Sequence, residues 1–176
     1  KPKSWLPVIY CWRGGDRSKS VSHVLEKIGW KVFVLDGGYK AYRKYVLNCI
    51  PEYVNNLTLS VVCGLTGSGK TKFLDYLKSK KEQVLDLEGL ALHRGSLLGG
   101  IPSINQPSQK MFDSLLLDKL KSFEVNRKIF VESESKKIGD IQIPESLIKL
   151  MRQSNCIWIE TSEFERVKLL REEYIH

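Results

Sequence analysis

The stretch "LSVVCGLTGSGKTKFLDYL", Leu59 to Leu77, constrains the fold more than any other part of the chain. Its centre is Gly64-x-x-x-x-Gly69-Lys70-Thr71, preceded by an apolar run and followed by apolar residues at helical spacing. That is a phosphate loop in its proper strand-to-helix context. Glycines let backbone N–H groups turn toward an anion, Lys70 adds a cation, and Thr71 can reach a magnesium ion at the helix N-terminus. The phosphate-binding candidates are therefore Gly64, Thr66, Gly67, Ser68, Gly69, Lys70 and Thr71. The loop does not choose among ATP, GTP and another diphosphate.

A strand feeding such a loop belongs to a parallel sheet with helices on its faces, and the rest of the chain agrees. "EQVLDLEGLA" reads as a strand, "SQKMFDSLLLDKLKSF" as a helix and "RKIFVESES" as a strand. "PESLIKLMRQS" then reads as a helix, "NCIWIET" as a strand, and "SEFERVKLLREEYIH" as a helix capped by Ser162. Carboxylates at strand ends are where a protein with this loop would hold a metal, which selects Asp86, Glu88, Glu132 and Glu134. Strict alternation would turn only one set of the Glu132–Ser135 run toward the site, and Glu132 is the leading candidate. "GLALHRGSLLGG" adds His93 and Arg94 beside Gly95 and Ser96 as a second anion-binding loop. Gln106, Ser108, Gln109 and Lys110 suit either binding or helix capping.

Upstream, residues 7 to 50 spell a separate strand, helix, strand and helix: "PVIYCW", "SVSHVLEKIGW" with Ser20 as cap, "KVFVLDGG" and "YKAYRKYVLNCI". Two strands do not make an independent sheet, so this unit is expected to be the remainder of a larger one, or else to extend the sheet of the next unit. "PEYVNN", with Pro51, Asn55 and Asn56, is the expected joint, giving domains 1–54 and 55–176. The last helix is still in pattern at His176, so the C-terminus also reads as cut.

The four cysteines show neither a CxxC pair nor zinc spacing, and the chain reads as cytoplasmic, which disfavours a disulfide framework. Its opening lacks a signal peptide, and no apolar run approaches the ~20 residues of a membrane span. Cys49, Cys63 and Cys156 read as core residues. Cys11 differs: it ends a strand in "YCWRGGDRS" and leads into a helix, with Arg13 and Arg17 near enough to favour thiolate. Arg13, Gly14, Gly15 and Arg17 would form an anion cradle around it. Such a sulfur can attack or carry a chalcogen. The net charge of +8 is concentrated in residues 1–56, which carry ten Lys/Arg against four Asp/Glu; that suits a polyanion such as RNA. Trp12, Trp30 and Trp158 read as core or loop residues rather than base-stacking platforms.

The Cys11 loop followed by a helix and "VFVLDGGYKAYR" resembles the C-terminal part of a rhodanese domain. Taken with "GLTGSGKT", "DLEGLALHRGS", "QPSQKMF" and "ESESKKIG" in that order, the chain resembles the tRNA 2-selenouridine synthase family. The fold implied is α/β: the C-terminal part of a rhodanese-like domain, then a parallel sheet of the P-loop NTPase kind with flanking helices. The resemblance implies a transferase that replaces sulfur by selenium in wobble 2-thiouridine of tRNA. Selenophosphate would be the selenium donor, and geranyl diphosphate would supply a geranyl group that makes the sulfur a better leaving group. Cys11 would be the family's essential cysteine. The phosphate loop would hold a substrate phosphate or diphosphate, magnesium being compatible with it. The anticodon region of tRNA would be the partner. Two other classes stay open: a nucleotide-hydrolysing enzyme dependent on Lys70 but not Cys11, and a non-catalytic RNA-binding module with salt-sensitive affinity.

Overall fold

A computed structural model of the chain describes residues 1–13, 15–95, 99–100 and 104–174. The backbone divides into two compact units, Lys1–Asn48 and Cys49–His176. In the first, β1 (Val8–Ile9) pairs in parallel with β2 (Phe33–Val34), and α1 (Asp16–Ile28) makes the crossover. Helix α2 (Gly38–Val54) follows and runs past the unit boundary.

Two expectations about this region are corrected. Helix α1 begins at Asp16, a turn earlier than a Ser20 cap requires, because Gly15 enters it from the left-handed region at φ 94° with no side-chain cap. Ser20 lies inside the helix and donates to the Asp16 carbonyl. Helix α2 continues through Pro51 instead of breaking there. The proline forfeits one backbone bond, and the buried Val46, Ile50 and Val54 at four-residue spacing hold the helix on either side of it. The apolar face of α1 is also inverted from the simple amphipathic reading: Ser18 and Ser22 are buried while Val21, Val24 and Ile28 are exposed.

The second unit is built on one parallel sheet. Its strands are β3 (Leu59–Cys63), β4 (Gln83–Leu85), β5 (Ile129–Glu132) and β8 (Asn155–Trp158), in the order β4-β5-β3-β8. Helix α3 (Lys70–Ser79) follows β3 directly, and the short α4 (Leu87–Ala91) follows β4. The strand read into "EQVLDLEGLA" therefore stops at Leu85, because the Asp86 carboxylate accepts from the Gly89 N–H and starts a helix. Helix α5 (Gln109–Lys121) buries Phe112, Leu116, Leu117 and Leu120, a single face at helical spacing. A small antiparallel hairpin, β6 (Lys137–Ile138) with β7 (Ile141–Gln142), had no signal in the alternation pattern. Helix α6 (Glu145–Gln153) buries Leu147, Ile148 and Met151, and α7 (Glu163–Tyr174) closes the chain. Val62, Leu74 and Val84 form a buried cluster, with Phe73, Leu77, Phe130 and Ile159 packed on it.

The polar run after Ile104 is largely architectural. Ser108 caps α5 by accepting from the Met111 N–H. The Gln106 amide donates to the Ala91 and Ile138 carbonyls and accepts from the Asp140 N–H, and Gln109 exchanges bonds with both backbone groups of Gln142. These two side chains stitch the hairpin to the helical layer.

The cysteine expectations hold for Cys49, which is buried, but not for the other two core candidates. Cys63 on β3 is half-buried and Cys156 on β8 exposed, and the two are joined by a disulfide across adjacent strands, with Cα atoms 6.2 Å apart. Trp158 ends β8 with 62% of its surface exposed, neither core nor loop. Among the described residues, no helix is long and apolar enough to cross a membrane.

Candidate functional site

Two constellations carry chemistry, one in each unit. In the first, Cys11 follows β1, and the Ser18 hydroxyl, one turn into α1, reaches back to its sulfur at 3.6 Å. The same hydroxyl lies 2.8 Å from the Gly15 carbonyl, and the thiol donates to the Arg13 carbonyl at 3.1 Å. The thiol is held below its ordinary range, chiefly by the Ser18 hydroxyl, with backbone groups of Ser18, Gly15 and Arg13 adding to the effect against the cost of desolvation. The sequence assigned that role to Arg13 and Arg17; both are exposed, and the loop itself with Ser18 supplies the bias. Ser18 was missed because a serine in the first turn reads as a helix cap. Gly38 packs on the same loop: its backbone lies so close to the Cys11 carbonyl that any Cβ would collide with it, and the Tyr39 N–H binds that carbonyl at 2.9 Å. Tyr39 in turn stacks on Trp12, with ring centroids 5.0 Å apart. Gly14 and Ser96 lie outside the described residues.

In the second unit the phosphate loop follows β3 at the sheet's carboxyl edge, where open α/β sheets place their ligands. It lines a cleft of about 400 Å³ with Gly64, Thr66, Gly67, Ser68, Gly69, Lys70 and Thr71 on one side. Glu88, Arg94, Gly95, Glu132 and Glu134 face them from the other side. Of the second-loop candidates, Glu88, Arg94 and Glu132 thus meet at the cleft, while Asp86 and His93 do not line it. Asp86 caps α4 and pairs with Lys78 at 2.7 Å; His93 accepts from the Gly95 N–H through Nδ1. All four residues from Glu132 to Ser135 line the cleft, correcting the alternation argument, because β5 ends at Glu132 and a two-residue period holds only within a strand.

The register Val62↔Glu132 sets the Glu132 carboxyl beside the end of β3, and its Oε1 accepts from the Glu88 N–H at 2.9 Å. Burial pushes Glu132 up to about 7, and the charges of Asp86 and Glu88 act the same way. Burial likewise pushes Glu88 up to about 8, reinforced by Glu134, with which it shares a side-chain hydrogen bond; the Lys70 charge opposes this. Glu134 is raised as well, first by burial and then by the Glu132 charge. The pair therefore holds a proton at neutral pH. A Cβ on Gly95 would come within 2.5 Å of Glu88 Oε1, so the loop needs glycine there to close over the two carboxyls. Lys70 Nζ donates to the Gly64 and Leu65 carbonyls at 3.0 and 3.2 Å. Ser68 Oγ and Glu132 Oε2, both of residues in the cleft wall, are buried with no partner among the described protein atoms, whereas buried polar atoms ordinarily have one in protein or ordered water.

Among the described residues no group of three or more His, Cys, Asp or Glu is set to hold a metal ion. Thr71 at the start of α3 and the Glu132 carboxyl, both in the lining, are the residues that would hold a magnesium ion beside a bound phosphate, and no step below is routed through one. What the cleft offers is an anion site: loop amides, one ammonium and hydrogen-bond donors in a half-enclosed space.

Two family models match the chain. One, described as the AAA domain of tRNA 2-selenouridine synthase, covers residues 57–176; a rhodanese-like domain covers residues 2–45. Proteins named tRNA 2-selenouridine synthase from Nitrosomonas europaea and Nitrosomonas eutropha are 37% and 39% identical over 171 residues. Each alignment covers 96% of this chain and 44% of the relative. The protein of that name from Shewanella sediminis is 37% identical over 170 residues. The chain thus spans less than half the length of these relatives.

Proposed function

The chain belongs to the tRNA 2-selenouridine synthase family, and from that premise we propose that it forms the phosphate-binding and chalcogen-handling part of an enzyme that replaces sulfur by selenium in wobble 2-thiouridine of tRNA. The observation that carries this reading is the phosphate loop's cleft, lined by Lys70 and by acidic side chains that stay partly protonated. A cleft of that kind suits a diphosphate leaving group. Geranyl diphosphate would bind with its diphosphate on the loop amides and Lys70. The 2-thiouridine sulfur would then attack the geranyl carbon, forming an S–C bond as the C–O bond to diphosphate breaks and the electron pair leaves on oxygen. Developing charge on that oxygen is what the loop donors stabilise.

Selenium of selenophosphate would then attack the carbon that bears the geranylated sulfur, forming a C–Se bond as the C–S bond breaks and geranylthiolate leaves. Water would cleave the Se–P bond to release phosphate. Cys11, with its thiol biased toward thiolate by Ser18, would serve as a nucleophile in this exchange, adding to that carbon as geranylthiolate leaves and being displaced in turn by the selenium. The anticodon region of tRNA is the polyanion that the excess of basic residues in 1–56 would meet.

The test uses the protein at full length and its Cys11→Ser variant, each incubated with 2-thiouridine tRNA, selenophosphate and geranyl diphosphate, with the digested nucleosides weighed by mass spectrometry. Selenouridine from the wild type, and the geranylated thio nucleoside accumulating in the variant, are expected. Unmodified tRNA from both folded proteins would overturn the proposal and favour nucleotide hydrolysis at Lys70.

A further inference from the structure

The outer side of the phosphate loop is bound by a segment about a hundred residues away. Both Nε and Nη2 of Arg166, on α7, donate to the Thr66 carbonyl at 3.2 Å. Thr161, just before that helix, donates through Oγ1 to the Ser68 carbonyl at 2.9 Å. Leu170 lies against Gly67, so close that a Cβ there would sit 2.6 Å from its Cγ; Leu169 approaches Gly69 in the same way, at 3.5 Å. Lys72, in the first turn of α3, pairs with Glu172 at 2.7 Å.

Peptide planarity gives these contacts a consequence on the other side of the loop. In a trans peptide the C=O of one residue and the N–H of the next point in opposite directions. Holding the Thr66 carbonyl outward therefore aims the Gly67 N–H inward, and holding the Ser68 carbonyl outward does the same for Gly69. Among the described residues neither N–H is taken by a protein acceptor. Both glycines adopt positive φ, 77° and 86°, the conformation in which successive amides form an anion-binding concavity.

We propose that α7 is the backing of the phosphate site and that Arg166 and Thr161 are positioning residues, which preset the Gly67 and Gly69 amides for a phosphate or diphosphate group without touching it. The inference rests on the reading of the loop as a diphosphate site, and it adds two residues that carry no recognisable motif. Preorganised donors bind an anion without reorientation at the moment of binding, so the loss on removing Arg166 falls on affinity and not on the fold. Arg166 is only half-buried, and its replacement opens no core cavity.

Calorimetric titration of the full-length protein with inorganic pyrophosphate tests this. Arg166→Ala should bind about tenfold more weakly, as expected for losing a charged hydrogen bond that fixes the loop, with an unchanged melting temperature. Arg166→Lys, which keeps one donor, should recover part of the affinity, and Thr161→Val should weaken binding independently. In the ligand-free protein, glycine-selective amide spectra should show the Gly67 resonance broadened in Arg166→Ala and the Gly69 resonance broadened in Thr161→Val, both being sharp in the wild type. Wild-type affinity in Arg166→Ala, or loop amides identical to wild type, overturns the inference. Failure of the wild type to bind pyrophosphate, with the amide broadening present, instead sinks the diphosphate reading and leaves the backing role intact.

Discussion

The Ser18 hydroxyl stands 3.6 Å from the Cys11 sulfur, and it is the largest influence holding that thiol below its ordinary range. The first turn of α1 is therefore the leading source of the bias toward thiolate.

Replacing that hydroxyl should separate the two explanations. In Ser18→Ala the pH profile of alkylation by iodoacetamide should move to higher pH, with a severalfold slower rate at neutral pH. Arg13→Ala and Arg17→Ala should leave the profile close to wild type. The reverse ranking would return the arginines to the dominant role.

The buried Glu132 predicts a stability that depends on pH. Its folded value is raised to about 7 from an ordinary value near 4.5, so the folded state binds the proton more tightly than the unfolded chain. The favourable contribution is complete below the ordinary value and is lost as pH rises through about 7. Glu132→Gln keeps an acceptor for the Glu88 N–H but removes the ionisation. Urea unfolding on either side of that window should show the alkaline loss reduced by on the order of 3 kcal/mol in the variant. An unchanged difference would mean that Glu132 is not the titrating group.

Lys70→Ala should weaken pyrophosphate binding by at least about tenfold, the scale of one charge-assisted contact, with little change in melting temperature. Among the described residues its ammonium donates to loop carbonyls, at Gly64 and Leu65, and to no strand, so the sheet does not depend on it. Equal affinity in titration calorimetry would remove Lys70 from the anion site.

Gly67→Ala places a methyl 2.6 Å from Leu170 Cγ at a φ of +77°. Backbone strain alone should cost about 1–2 kcal/mol, read as a lower melting temperature. Adding Leu170→Ala relieves the collision but not the strain, so the double variant should recover only in part. Full recovery would show that crowding, and not conformation, demands the glycine.

What the sequence disclosed and what it hid follow from distance along the chain. The strand-loop-helix around Lys70 is contiguous, and Glu132 was legible because β5 ends in an apolar run with a carboxylate at its edge. The backing of that loop by Arg166 and the joining of Cys63 to Cys156 link residues 93 or more positions apart, and no local periodicity announces them. The start of α1 was misplaced because a glycine in the left-handed region began it, where capping rules look for a serine. Gln106 and Gln109 were ambiguous because an amide that stitches a hairpin has the same composition as one that binds a ligand.

Because β4, β5, β3 and β8 all run the same way, the sheet has a working rim and an idle one. The cleft occupies the rim where the strands end, and the turn that delivers α5 into β5 lies at the rim where they begin. Val125, exposed in that turn, is thus a handle for instrumentation. A fluorophore or immobilising tether attached there would report on the molecule from the rim remote from its chemistry.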